Sequence, residues 1–288
     1  MKVSDNMGTL YIVGTPIGNL NDITKRSIET LKKVDYILCE DTRNSIKLLN
    51  YFEIKNKLIS YHKFNENERV ASIIKDLKDG KDIALISDAG LPLISDPGEV
   101  IVKEARKEGL NIISTGGITA FTTALSISDL KSDIFSFYGF FPRDNKDKKK
   151  LIEDINNSNI LTHIFYESPK RIVKTIEYLK DNINCKISIS KELTKIHEKT
   201  YYGTIEKVLE ELKKDDKVNQ GEYTFIIEKE DKKETKEEHI SIEALLIDEI
   251  VKNNISLKQA IDIVNNNNDN LSKKEIYNAS LNLKSIDL

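Results

Sequence analysis

D-I-A-L-I-S-D-A-G-L-P-L-I-S-D-P-G, residues 82–98, is the stretch whose reading decides the fold. Ile83, Ala84, Leu85 and Ile86 form an unbroken apolar run, the pattern of a parallel strand covered on both faces. Ser87-Asp88-Ala89-Gly90 then ends that strand. In an open parallel sheet, ligands bind outside the carboxyl ends of the strands. Gly90 lets backbone come close to a ligand, and Asp88 can accept hydrogen bonds from hydroxyl or amino groups. Asp96-Pro97-Gly98 restarts the chain as a helix, with Asp96 as N-cap and Pro97 at the first helical position. A strand, a turn and a capped helix explain much of this stretch. Two acids and two glycines in so short a connection are more than a turn needs.

The flanking sequence repeats the pattern. Thr9 to Val13 reads as a first strand, ending in G-T-P-I-G-N (14–19), with Asn21 or Asp22 as the N-cap of the helix that follows. This loop is not a G-x-G-x-x-G dinucleotide fingerprint. Its central proline removes a donor and stiffens the backbone, giving a wall more than a phosphate cradle. Asp35 to Cys39 is a second strand, ending in Glu40-Asp41-Thr42-Arg43, where Asp41 could cap the next helix and pair with Arg43. Leu58 to Tyr61 is a third, followed by a helix that Gly80 stops. Leu110 to Ile113 is a fifth, ending in Ser114-Thr115-Gly116-Gly117-Ile118-Thr119-Ala120. Strands alternating with helices imply a mostly parallel α/β sheet over residues 8–120.

A second α/β unit, with a more mixed sheet, is expected over 121–228. Its strands are Ile134 to Phe141, Leu161 to Tyr166, Lys186 to Ser190 and Glu222 to Ile227. Pro142-Arg143 and a lysine cluster at 146–150 follow the first of these. Residues 229–238 form a charged run with no apolar residue and read as a solvated linker. Residues 239–288 read as a small helical extension, with Ser256 and Ser272 at helix starts and a core from Leu245, Leu246, Ile250, Leu257, Ile261, Ile276 and Leu281.

Composition narrows the function classes. The 288 residues suggest about two domains, and 39% hydrophobic residues suffice for real cores. Net charge is −3, so any nucleic-acid contact must come from a local patch. Of 44 basic residues only six are arginine, which draws attention to Arg43, Arg143 and Arg171. Cys39 and Cys185 lie in apolar runs and fit reduced, buried thiols of a cytoplasmic protein. The N-terminus lacks a signal-peptide core, and no run of 18 apolar residues spans a membrane.

Six motifs occur in order: G-T-P-I-G-N-L-N-D-I-T (14–24), E-D-T-R (40–43), S-D-A-G-L-P-L-I-S-D-P-G (87–98), G-F-F-P-R (139–143), Y-E-S-P-K-R (166–171) and K-E-L-T-K-I-H-E (191–198). Together they resemble the tetrapyrrole-methylase, or class III S-adenosylmethionine-dependent, family, and within it the methyltransferases of small-subunit ribosomal RNA. The resemblance covers residues 8 to about 228 and extends to the helical tail. It implies two α/β domains with the cofactor cleft between them, and a homodimer. It also implies 2′-O-methylation of a cytidine ribose in the decoding region of 16S rRNA within the 30S subunit; no metal is expected, since two cysteines in apolar runs do not make a zinc site. Carried over, the S-adenosylmethionine wall involves Pro16, Asp88, Ala89, Gly90, Leu93, Thr119, Ala120, Tyr166, Glu167 and Thr224. The family usually shows P-G-P-S-A after the fifth strand. Here Gly116-Gly117-Ile118-Thr119-Ala120 stands instead, which makes the loop less pre-organised.

Methyl transfer from a sulfonium is an in-line displacement, and alignment can supply most of the rate. A ribose hydroxyl is a poor nucleophile, so a base or a nearby cation helps. Glu192 is the expected base, with Lys191 or Lys195 stabilising the forming alkoxide; Asp41 and Glu167 are further candidates. Asp41, Arg43, Arg143 and Arg171 are expected at the RNA. Two other readings use the same residues: a class III methylase acting on a small molecule such as a tetrapyrrole, and a non-catalytic RNA- or ribosome-binding module.

Overall fold

The computed structural model describes residues 7–230, 241–267 and 271–284. The chain divides into two compact units, one ending at Glu230 and the other following it.

The first sheet is built from β1 (Thr9–Ile12), β2 (Tyr36–Cys39), β3 (Leu58–Ser60), β4 (Ile83–Ile86) and β5 (Asn111–Ser114). Their order is β3-β2-β4-β1-β5, and every pairing is parallel. β4 sits at the centre with all four residues buried, as its unbroken apolar run requires. Alternation then divides its side chains between two cores. Ile83 and Leu85 pack with Ile73 of α3 (Glu66–Lys78) and Ile101 of α4 (Glu99–Lys107). Ala84 and Ile86 pack with Leu31 of α1 (Lys25–Lys33) and Leu49 of α2 (Thr42–Tyr51). So the helix after β1 and the helix after β4 cover opposite faces, although these two strands are neighbours. That places the topological switch point of an open α/β sheet between the ends of β1 and β4.

The second sheet has the order β6-β7-β10-β8-β9, with β6 (Phe135–Phe140), β7 (Thr162–Glu167), β8 (Cys185–Lys191), β9 (Lys199–Thr204) and β10 (Tyr223–Lys229). β6 and β7 are parallel; the other pairings are antiparallel. One face packs Phe165, Ile187, Ile189 and Phe225 against α6 (Asn145–Asn157), α7 (Ile172–Asn182) and α8 (Ile205–Lys213). The other packs Ile164 and Ile226 against α5 (Ala120–Ser126) and Ile17. Because β10 runs against β7 and β8, its start lies beside their ends: Tyr223 pairs with both Glu167 and Lys191. The ends of β1 and β4 and the ends of β7 and β8 thus contribute to one cleft.

Several expectations change. Helix α1 is capped by Thr24, whose hydroxyl accepts from Ser27 N, while Asn21 and Asp22 form a 3-10 turn capped by Asn19. Helix α4 begins at Gly98, whose φ of +135° no N-cap aspartate adopts readily, so Asp96 caps nothing there. Strand β9 was not visible in the sequence. The charged run at 228–238 begins as strand, since β10 continues to Lys229; positions 231–238 lie outside the described residues.

The second unit holds α9 (Ile242–Asn253), α10 (Leu257–Asn267) and α11 (Lys273–Lys284). Ser256 and Ser272 cap α10 and α11, each exchanging hydrogen bonds with the Gln259 or Glu275 three residues on. Leu246, Ala260, Val264, Ile276, Ala279 and Leu283 form the core, while Leu281, expected inside, is exposed.

The boundary of the first unit is testable. Lys229 is buried, and its ammonium donates to Ile155 O (2.8 Å) and Ser158 O at the end of α6. A chain ended after Glu230 is expected to melt cooperatively, as followed by circular dichroism. One ended after Ile227 leaves those carbonyls without their donor, and is expected to be less stable by about 1–3 kcal/mol.

Candidate functional site

The site is organised by a backbone bridge at the switch point. Thr15 N donates to Gly90 O (2.8 Å), and Gly90 N donates to Thr15 O (3.1 Å). The Thr15 hydroxyl also donates to Ser87 O (3.1 Å). These bonds tie the loop after β1 to the loop after β4. A third loop is drawn in by close backbone contact. A Cβ on Gly14 would fall 2.5 Å from Gly116 O and 2.8 Å from Gly117 Cα, so this contact needs glycine. The loop that lacks the family's prolines is therefore positioned by the Gly14–Gly117 contact.

Around the bridge lie two adjoining cavities. The first, of about 340 Å³, falls in the range of roughly 300–1,000 Å³ typical of ligand clefts. Ala89, Gly90, Thr119 and Ala120 line it from the first sheet's loops, and Tyr166, Glu167 and Thr224 from the second sheet. Ile17, Leu91 and Ile94 add apolar wall, and Asp96 adds a carboxylate. The second cavity, of about 510 Å³, is lined by Pro16, Asp88, Asn44, Lys47, Tyr51 and Lys195 among others. Ile17, Ala89 and Glu222 border both. Of the expected wall, only Leu93 stays outside the two cavities; it packs behind the loop, within reach of Gly98.

Residues 9–209 match the family of Tetrapyrrole (Corrin/Porphyrin) Methylases. The chain belongs to the tetrapyrrole methylase family. It is similar to the Ribosomal RNA small subunit methyltransferase I of Halalkalibacterium halodurans, 41% identical over 279 residues, covering 95% of each chain. The protein of the same name from Bacillus subtilis is 41% identical over 284 residues, covering 95% of this chain and 94% of that one. Among solved structures, diphthine synthase superposes with a TM-score of 0.61 at 14% identity, covering 77% of this chain and 90% of that one. The uroporphyrin-III-C-methyltransferase from Thermus thermophilus gives 0.53 at 15% identity, covering 77% and 94%. These two likenesses establish the tetrapyrrole-methylase fold.

In this methylase the cleft is acidic on the side of the first sheet. Burial pushes Asp96 up to about 6, helped by the nearby charges of Glu40 and Asp88 and opposed by a hydrogen bond to Ser87. Burial likewise raises Glu40, again with Asp88 adding to the effect. Asp88 itself accepts from Asn44 Nδ2 (3.0 Å). Sequence reading treated Asp96 as a cap and passed over Glu222; both line the cavity. Asp96 stood within the quoted stretch, and Glu222 at the head of an expected strand.

The E-D-T-R motif does both things expected of it. Asp41 caps α2 through Arg43 N (2.8 Å) and clamps the Arg43 guanidinium at two points (3.0 and 2.7 Å). Hydrogen bonds from Arg43 hold Asp41 down at about 2. The guanidinium, with a side chain 86% exposed, is presented at a third cavity with His62 and Phe64. Arg143 is exposed at the end of the G-F-F-P-R motif.

Four expected roles shift. Lys191 is buried and donates to Asp215 (2.8 Å) and Lys217 O (2.6 Å); it lines neither of the two cavities, so it is not placed to meet a forming alkoxide there. Arg171 donates to Phe141 O (3.0 Å) and Pro142 O (2.7 Å) and pairs with Glu167 (3.2 Å), which binds the two motifs together and leaves it little to offer a phosphate. The Glu167 carboxylate also accepts from Ser168 N and the Thr175 hydroxyl (both 2.7 Å), so it shapes the wall more than it reaches a ligand. Glu192, at a φ of +55°, accepts from Lys195 Nζ (2.8 Å) and Glu222 N (2.9 Å) through one oxygen. It braces the rim and holds Lys195 at the second cavity.

Arg171→Ala is expected to lower stability by about 3–5 kcal/mol, because it leaves the buried Glu167 carboxylate without its ion-pair partner. Denaturant melts check this. Loss of RNA binding at full stability would instead make Arg171 a surface contact.

Proposed function

We propose that this protein transfers the methyl group of S-adenosylmethionine to the 2′-hydroxyl of a cytidine in the decoding region of small-subunit ribosomal RNA. The observation that carries this reading is the match, at about 40% identity over nearly the whole length, to proteins named for small-subunit rRNA methylation. The ribose and cytidine assignments, and the homodimer acting on the 30S subunit in the cytoplasm, rest on the six-motif resemblance.

The first cavity fits the methyl donor. Ile17, Ala89, Leu91, Ile94 and Ala120 offer apolar wall to an adenine. Asp96 and the neighbouring Glu40 and Asp88 bring negative charge towards a sulfonium and an ammonium. When bound, the cofactor supplies an electrophilic methyl group activated by positive sulfur. The loops at Gly90 and Thr119, with Tyr166 and Thr224 facing them, would hold it, with Pro16 and Asp88 at the second cavity. Burial pushes the Tyr166 hydroxyl up to about 12, so that side chain stays neutral at the site. The two α/β domains, 8–120 and 121–228, would close the cleft between them.

The RNA would approach where the cleft opens. Arg43, pre-oriented by Asp41, and Arg143 are exposed guanidinium groups suited to phosphate oxygens. Lys195 is a further cation at the second cavity, and Lys258, Lys273 and Lys274 are exposed on the helical extension. The target nucleotide must be unpaired or splayed out for its ribose to enter.

Calorimetry with S-adenosylmethionine and methylation of unmodified 30S subunits test the reading together. Arg43→Ala and Arg143→Ala are expected to keep cofactor affinity and lose rRNA methylation, each reducing the salt slope of RNA binding by roughly one. Methylation of a porphyrinoid with no action on 30S subunits would favour a small-molecule methylase. Absence of cofactor binding would favour a binding module.

A further inference from the structure

We infer that Asp96 is the general base of the transfer, accepting the proton of the attacking hydroxyl at the inner wall of the cavity. This rests on the ribose reading above and adds to it a catalytic residue. In the step, the hydroxyl oxygen forms a bond to the methyl carbon as the carbon–sulfur bond breaks and its electron pair returns to sulfur. The hydroxyl proton passes to the Asp96 carboxylate, and from there to water.

Position is the first argument. Asp96 lines the cavity assigned to the cofactor and also an adjoining cavity of about 310 Å³ that carries Glu40, Lys63, Glu66 and Glu99. It therefore stands at the junction of the two cavities, where a group in one would meet a group held in the other. Lys63 lines the adjoining cavity and can meet a phosphate there.

Local backbone is the second argument. Leu93 and Ser95 take φ values of +73° and +69°, which side-chain-bearing residues rarely adopt, and Gly98 follows at +135°. Such backbone persists only where the surroundings enforce it, and it clusters at functional sites. Here it brings Asp96 to the cavity and withdraws it from the cap of α4, which has no side-chain cap.

Engagement is the third. Glu192 is bonded to an ammonium and an amide, and Glu167 to a hydroxyl, an amide and a guanidinium. No ion pair to Asp96 occurs among the described residues; its only hydrogen-bonding influence is Ser87. The charged groups facing it are Glu40 from the end of β2 and Asp88 from the loop after β4. Glu66 from α3, Glu99 from α4 and Lys63 before α3 line its outer side, and Tyr166 from β7 the inner side. With its pKa raised to about 6, the carboxylate is mostly ionised at neutral pH yet more basic than an ordinary aspartate.

The test compares wild type, Asp96→Asn and Asp96→Glu as full-length proteins on 30S subunits, with the methylated nucleoside identified by mass spectrometry. Asp96→Asn removes one of the cleft's negative charges, so it is expected to bind S-adenosylmethionine more weakly while keeping its KM for subunits at saturating cofactor. Its kcat is expected to fall about 10²- to 10⁴-fold. The wild-type kcat/KM should rise with pH and bend near 6, and the variant should lose that bend. Asp96→Glu should restore part of the rate with a bend. Because burial raises this acid, its ionisation removes folded-state stability as pH climbs from about 4 through 6. Asp96→Asn should therefore not lower Tm at pH 7.5. A variant that keeps the wild-type rate and bend overturns the proposal, as does one whose only loss is cofactor affinity. A wild-type product methylated on a base, not on ribose, would instead overturn the ribose reading.

Discussion

The site depends on the short backbone bridge between Thr15 and Gly90. Two strands that are neighbours in the sheet send their chains to opposite faces, which opens a gap at their ends. The bridge and the Thr15 hydroxyl bond to Ser87 O span that gap. Gly90 can accept this geometry because its φ is +83°, and Gly14 and Gly117 let the third loop come into backbone contact. The second sheet then faces this platform with the start of β10 set between the ends of β7 and β8. Most of the wall is loop, held in place by the strand ends from which the loops spring.

Charge is divided between the wall and the opening. Glu40, Asp88 and Asp96 gather at the ends of β2 and β4, where burial holds Glu40 and Asp96 above the ordinary carboxylate range. The exposed arginines differ in setting: Arg43, clamped by Asp41, borders a cavity shared with Glu40 and Asp88, and Arg143 lies past the end of β6. An acidic interior with guanidinium groups outside suits a cationic cofactor within and a polyanion at the surface. With a net charge of −3, contact with a polyanion has to come from local groups such as these.

The sheet was legible wherever burial on both faces left an unbroken apolar run, as at Ile83 to Ile86. β9 was not, because an edge strand needs to bury only part of its residues: Tyr201 is fully buried while Tyr202 is exposed in K-T-Y-Y-G-T. The motifs pointed to the cleft, and of the ten residues expected in its wall only Leu93 lies outside the two cavities. Direction of individual side chains was beyond their reach. Lys191 turns to Asp215, a residue with no motif around it, and Arg171 turns to the carbonyls of the preceding motif. Asp96-Pro97-Gly98 has the residue types of a helix start, and only the folded chain shows that its aspartate lines the cavity and leaves α4 without a side-chain cap.

The most direct measurement of the central claim is a ribose-methylation map of 16S rRNA from cells with and without this protein. The expected result is the loss of one 2′-O-methylcytidine in the decoding region, restored when the protein is returned. Identical maps from the two strains would contradict the account.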